Sequence, residues 1–272
     1  MIADESAPYA SGSWRARYAA LHPKAYLALH LAGGVVLTMA LVWAFAAIAD
    51  EIPEQGRLVQ FDVALTAWIQ THETEYGESI FQAISWLGAP ALAVALTLAV
   101  LGWARARDWA RVTAVLMAGV GGLLLNYLLK AVFHRGRPEF ATEFITRQSW
   151  SFPSGHAMES LVAYGMLAFL LIGQRRPPVH RRVLTCAAIL LIGAIGVSRV
   201  YLGVHYLSDV VGGWLAGGAW LLVCITAYRF IQARLHPATA TTDAHLVARR
   251  ASGSGSDSGS GSGTGSGTGS GA

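Results

Sequence analysis

Apolar positions along this chain fall in long unbroken blocks, without the alternation of a half-buried strand or the one-sided stripe of a surface helix. The blocks run Tyr26–Ala49, Ser79–Trp103, Val112–Phe133, Gly155–Gly173, Val183–Tyr201 and Tyr206–Ile231. Each approaches the roughly 20 residues that a helix needs to cross a bilayer. Six such blocks predict an all-α, polytopic membrane domain of six transmembrane helices over residues 26–232. Residues 1–25 read as a polar cytoplasmic arm and residues 233–272 as a flexible cytoplasmic tail with a Ser/Gly-rich end, a composition too poor in apolar residues to form a core. The first block lies too far from the start, and is too long, to read as a cleaved signal.

The polar segments between the blocks set the expected orientation. Arg15, Arg17 and Lys24 precede the first block; Arg105, Arg107 and Arg111 follow the second; Arg175, Arg176, Arg181 and Arg182 follow the fourth; Arg229 and Arg234 close the last. A chain that crosses at every block puts all four sets on one side, and the positive-inside rule makes that side the cytoplasm. Both termini are then cytoplasmic and the expected location is the cell (inner) membrane. The first outward segment, 50–78, is acidic, with seven carboxylates against Arg57. Within it Phe61, Leu65, Trp68 and Ile69 recur at helical spacing, which suggests a short interfacial helix and leaves a packed lid or a plain loop open.

Composition agrees with this class. Of 272 residues, 54% are hydrophobic and 13% charged, about half the charge usual for a soluble domain. The net charge of +4 sits in topology-determining loops. No basic stripe with interleaved aromatics points to nucleic acid. Cys186 and Cys224 both lie inside apolar blocks and read as small hydrophobes, since two cysteines make no disulfide framework. The Gly213/Gly217 pair reads as a helix-packing face within the monomer. The oligomeric state has no signature in the chain.

Chemistry-bearing residues gather at the outward ends of the blocks. Lys130-x6-Arg137-Pro138, Pro153-Ser154-Gly155-His156 and Ser198-Arg199-x5-His205-x3-Asp209 place three cations, two histidines and a carboxylate near one membrane face. Cations at that depth require an anion or a wet cavity. Arg137, held extended by the proline after it, offers a planar fork for phosphate oxygens. Lys130 and Arg199 add charge. Ser154 is placed to cap the fourth block, Gly155 lets backbone approach an oxyanion, and a helix N-terminus favours negative charge. His205 and Asp209 share a helix face, so the carboxylate can fix one ring nitrogen while the other attacks phosphorus. The pair also has a purely structural reading as a hydrogen bond. His156 is placed to protonate the leaving group and then to activate water. A neutral His205 working with a protonated His156 implies a bell-shaped pH–rate profile. Second-tier candidates are Ser198, Asn126 one turn before Lys130, Arg135 and His134 beside Arg137, and Glu159. Glu159 either bonds a partner behind the site or lines the cavity.

These three blocks resemble the signature of the type-2 phosphatidic acid phosphatase superfamily, which also includes glucose-6-phosphatase-like enzymes and vanadium haloperoxidases. The resemblance covers Lys130 to Asp209, under a third of the chain, with no substitution at the signature positions. It implies a six-helix membrane phosphatase with its active site at the extracytoplasmic helix ends. It also implies His205 as nucleophile oriented by Asp209, His156 as acid and base, and Lys130, Arg137, Ser154, Gly155 and Arg199 as phosphate ligands, with no cofactor and no required metal. The short chain without large insertions is most similar to bacterial lipid-phosphate and isoprenyl-diphosphate phosphatases. The expected substrate is a lipid phosphate or diphosphate whose tail stays in the bilayer. Transfer of the phosphoryl group to another acceptor, and a non-catalytic lipid-binding protein, are the rival readings.

Overall fold

The computed structural model describes residues 23–140, 149–173 and 177–235, without the side chains of 23–30, 233 and 235. Residues 31–232 form one compact unit. The expected arm, apart from its last residues, and the Ser/Gly-rich end of the tail lie outside the described residues. The described elements are helical: α1 (Pro23–Glu51), α2 (Arg57–Thr71), α3 (Glu75–Trp86), α4 (Pro90–Arg105), α5 (Trp109–Phe133), α6 (Gly155–Ile172), α7 (Pro178–Tyr201) and α8 (Leu207–Leu235). Six stretches among them are long and apolar enough to cross a membrane: Leu31–Glu51, Glu75–Arg105, Trp109–Phe133, Gly155–Ile172, Pro178–Tyr201 and Leu207–Gln232. The chain is a multi-pass membrane protein with the six spans expected.

The second span differs from an uninterrupted helix. It breaks between α3 and α4, where Leu87 and Gly88 donate to the carbonyls of Ile84 and Ser85 in a tightened last turn. Pro90, which has no N–H to continue the ladder, then opens α4. The break brings Gly88 against α7 and the start of α6. A β-carbon there would lie 2.7 Å from Ile195 Cγ2 and 3.1 Å from His156 Cδ2.

The spans pack through small residues and one apolar core. Ala114, Val115 and Ala118 of α5, Val162, Met166 and Leu170 of α6 and Cys224 of α8 are buried together. Gly213 and Gly217 let α8 lie directly on the backbone of α6, where a β-carbon would meet Ser154 O at 2.7 Å and Met158 O at 2.9 Å. This glycine pair is used inside the monomer. Leucines, valines and tryptophans on the outer faces of the spans stay exposed, Trp43, Leu98 and Leu190 among them. Such an arrangement suits hydrocarbon as solvent. Cys186 is exposed and Cys224 buried, and both are free thiols.

Alternate helix direction sorts the charges. α5 begins beside Arg111 and ends at Lys130; α7 begins beside Arg181 and Arg182 and ends at Arg199. At 1.5 Å per residue the arginine-rich ends lie about 28 Å from the site cations, which is about the thickness of a hydrocarbon core.

Candidate active site

Two backbone hydrogen bonds join the motif segments, and a third closes a turn within the last of them. Ser151 N–H donates to Arg135 O at 2.8 Å, Ser154 N–H to Asp209 O at 2.9 Å, and His205 N–H to Arg199 O at 3.2 Å. Phe152 anchors the middle segment. It is fully buried, stacks on Phe45 at 5.3 Å and meets Phe133 edge-on at 5.2 Å. The loop before α6 is thereby clamped between the end of α1 and the end of α5.

The start of α8 is built around Asp209. Tyr206 stands just before the helix, and its N–H donates to Asp209 Oδ2 at 2.9 Å. This is the reciprocal half of a capping box, in which a carboxylate three residues into the helix reaches back to the cap. The same oxygen accepts a short hydrogen bond from Ser151 Oγ and faces His205 Nδ1 at 3.4 Å. Ser151 Oγ also lies 3.3 Å from Nδ1. Its proton is given to the carboxylate, so its lone pair is free to accept from Nδ1–H. On the other side of the ring, Arg137 Nη1 lies 3.2 Å from Nε2. A guanidinium only donates. The ring therefore carries its proton on Nδ1 and a bare lone pair on Nε2. Burial pushes the His205 imidazole down to about 3, with Arg137 and Lys130 adding to the fall and the hydrogen bond and charge of Asp209 opposing it. The ring is neutral at physiological pH.

Around this histidine stand the cations. Arg137 donates to Ser149 O at 3.1 Å, Ser149 Oγ at 2.9 Å and Val204 O at 2.7 Å, besides His205. Burial pushes its guanidinium below the usual range, and Asp209 pulls the other way. Lys130 Nζ makes a short hydrogen bond to Trp150 O and another of 3.5 Å to Ser151 O. Arg199 Nη1 donates to Ser85 Oγ at the break of the second span. His156, in the first turn of α6, lies within the electrostatic field of Arg199, Arg137 and Lys130. Among the described residues, two buried donors in this group have no partner: Ser154 Oγ and Arg199 Nε. Ser154 occupies the cap position of α6, yet its hydroxyl closes no cap hydrogen bond. An unpaired buried polar group is costly.

The second-tier residues separate. Arg135 is paired on the far side of Asp209, at 2.6 Å from Asp209 Oδ1 and 2.9 Å from Asp62 Oδ2. Asn126 Nδ2 lies 3.5 Å from Pro153 O and 3.6 Å from Met158 Sδ, which holds the start of α6. A β-carbon at Gly155 would lie 3.1 Å from Asn126 Oδ1 and 3.5 Å from Glu159 Oε1, so side chains crowd that glycine. Ser198 Oγ is folded back on Ile195 O at 2.6 Å. His134 is exposed, in the left-handed region at φ 45°, with its ring edge-on to Trp150. Glu159 lines a mainly apolar cavity of about 400 Å³ with Leu92, Leu96, Thr97 and Val162. Several residues of this neighbourhood were not among the sequence candidates, among them Ser151, Ser208 and Asp62. Ser151 stands two residues before the Pro153 block. Asp62 comes from α2, whose buried residues are Val59, Asp62 and Thr66, while Phe61 and Trp68 face outward.

A cluster of cations around a neutral, carboxylate-tethered histidine at one end of a six-span bundle defines a class. Residues 109–233 match the PAP2 superfamily. Phosphatidylglycerophosphatase B of Bacillus subtilis (strain 168) is 36% identical over 113 residues, covering 41% of this chain and 54% of the relative. The chain thus aligns with about half the length of that curated relative. The crystal structure of the first transmembrane PAP2 type phosphatidylglycerolphosphate phosphatase from Bacillus subtilis superposes with a TM-score of 0.64 at 27% identity, covering 71% of this chain and 96% of that one. Aquifex aeolicus LpxE gives a TM-score of 0.47 at 22% identity over 60% of this chain and 93% of that one.

Proposed function

We propose that this chain is an integral membrane phosphatase that hydrolyses a lipid phosphate or lipid diphosphate through a phosphohistidine intermediate. The observation that carries the reading is the state of His205. Nδ1 is tied to Asp209 and Ser151, and the Nε2 lone pair is held only by the Arg137 guanidinium. A phosphate docking on Arg137, Lys130, Arg199 and Ser154 competes for that guanidinium and releases Nε2 for in-line attack.

The steps balance without a co-reactant other than water. The Nε2 lone pair forms the N–P bond as the P–O bond to the lipid breaks, and His156 gives a proton to the departing oxygen. His156 then takes a proton from water, whose oxygen attacks phosphorus, and the N–P electron pair returns to Nε2. Charge on the equatorial oxygens is met by the three cations and the first N–H groups of α6, the arrangement on which phosphoryl transfer chiefly depends. Asp209 stabilises the imidazolium character of the intermediate. In this reading the site faces the extracytoplasmic side, with the termini and the arginine-rich helix ends in the cytoplasm.

The test is phosphate release by purified chain in detergent from phosphatidylglycerol phosphate, phosphatidate, lipid A phosphate and undecaprenyl diphosphate, with His205→Ala as control. The Bacillus subtilis relative and crystal structure, both named for phosphatidylglycerol phosphate, put that lipid first. Inorganic phosphate appearing with no acceptor present, unaffected by chelator and absent in the control, is expected. No release from any of these, or release that requires a divalent ion, contradicts the proposal.

A further inference from the structure

Behind Asp209 lies a second buried carboxylate that the three motif blocks do not contain. Asp62 is fully buried on the inner face of α2 and lies outside the residues matched by the family. Its Oδ1 accepts from Ser208 N–H at 3.1 Å, in the first turn of α8, so it sits at the positive end of the helix that carries Asp209. Its Oδ2 accepts from Arg135 Nη2 at 2.9 Å and makes a short hydrogen bond to Ser208 Oγ. Arg135 spends its other arm, Nη1, on Ser208 Oγ and Asp209 Oδ1, both at 2.6 Å, and its guanidinium lies 4.4 Å from the Tyr206 ring. One guanidinium thus bridges two carboxylates, and each carboxylate takes one arm.

That division matters to His205. Asp209 keeps Oδ2 for Ser151, Tyr206 N–H and the His205 ring because Arg135 engages only Oδ1. An arginine freed from Asp62 would turn its full fork onto Asp209 and grip both oxygens, the geometry that guanidinium and carboxylate prefer. Oδ2 would then be drawn from the imidazole.

We propose that Asp62 is a positioning residue for the His205–Asp209 pair. It holds Arg135 and Ser208 where they fix the Asp209 carboxylate and, through it, the proton on His205 Nδ1. The effect on turnover rests on the reading of His205 as nucleophile; the effect on the ring does not.

The experiment is imidazole ¹⁵N NMR of the full chain in detergent micelles, assigned with His205→Ala, beside steady-state phosphate release. In the wild type, His205 shows a protonated Nδ1 and a bare Nε2. Asp62→Asn keeps the shape and removes the charge. It is expected to give a mixture of tautomers and a kcat lower by about tenfold to a hundredfold, the usual scale for a partner behind a functional group, with KM within about threefold. Thr66→Val, on the same buried face of α2 where, among the described residues, Thr66 Oγ1 bonds only Asp62 O, is expected to leave tautomer and kcat unchanged. An Asp62→Asn ring that stays on Nδ1, or a Thr66→Val chain that loses the preference equally, overturns the proposal. Should Asp62→Asn fail to fold, Arg135→Lys reads the same contact: loss of the Nδ1 preference supports it and retention overturns it. A wild type that shows the tautomer and its loss on Asp62→Asn, yet releases no phosphate, would defeat the phosphatase reading and leave this inference standing.

Discussion

Arg135 and Arg137 are two residues apart on the irregular segment after α5, and their surroundings differ in kind. Arg135 is nearly fully buried and its side-chain partners include two carboxylates, Asp62 and Asp209. Arg137 is half-buried and meets carbonyl oxygens, a serine hydroxyl and a neutral imidazole. The first arginine has its charge cancelled where it stands. The second, beside Lys130 and Arg199, keeps its positive charge, which the proposed function assigns to an anionic substrate. An arginine in a signature segment is thus assigned to substrate or scaffold by the charge of its partners, not by its distance from His205.

Substitutions at the two positions should separate cleanly. Arg137→Ala is expected to lower kcat/KM by about 10²- to 10³-fold, the scale of losing one donor to a transition-state oxyanion, with little change in thermal midpoint. Arg137→Lys should recover only part of this, because an ammonium cannot reproduce the planar fork. Arg135→Ala leaves two buried carboxylates uncompensated and should cost about 3–5 kcal/mol of stability, read by denaturation in detergent. Equal loss of stability at both positions would erase the distinction.

Smaller effects sharpen it. Ser154→Ala removes an otherwise unpartnered donor and should weaken turnover by about tenfold, the worth of one hydrogen bond to a charged group, without destabilising the resting protein. The pH profile offers another check. In the proposed mechanism His205 must be neutral to attack, and burial has pushed its imidazole down to about 3. Protonation of His205 therefore removes activity only as pH falls through about 3. An ordinary imidazole would place that limb near pH ~6.5. With chemistry limiting, the rate should show no acid limb from His205 above about pH 4, which moves one side of the bell expected from sequence. A limb at pH 6 to 7 that vanished in a variant of the Asp209 contact would contradict this. Least of all, His134→Ala should leave kcat/KM within about twofold, as for exposed residues generally.

Much of this was legible along the chain. Six spans follow from block length, because a helix in hydrocarbon must satisfy its own backbone and be apolar all round. The motif residues follow from the cost of placing cations at such depth. Asp62 was not legible: it lies in a segment rich in carboxylates, and its partner Arg135 is 73 residues away. Nothing local distinguishes it from Glu54 or Glu73. The helical spacing of Phe61 and Trp68 did announce α2, but both turn outward while Asp62 and Thr66 turn in. Periodicity reports a face and not what the face meets. Ser151 escaped because its value lies in a lone pair offered to His205 across 54 positions. The break before Pro90 was hidden inside a continuous apolar run, since hydropathy does not register a missing N–H.

Everything in the proposed mechanism converges on Nε2 of His205 as the atom that takes the phosphoryl group. Mixing purified chain with phosphatidylglycerol phosphate, quenching in alkali where phosphohistidine survives, and sequencing the peptides by mass spectrometry tests that directly. One phosphoryl group on His205 during turnover, lost in His205→Ala and accumulating when His156 is replaced, is the predicted result. Phosphate found on His156, or rapid release of phosphate with His205 never modified, would contradict it.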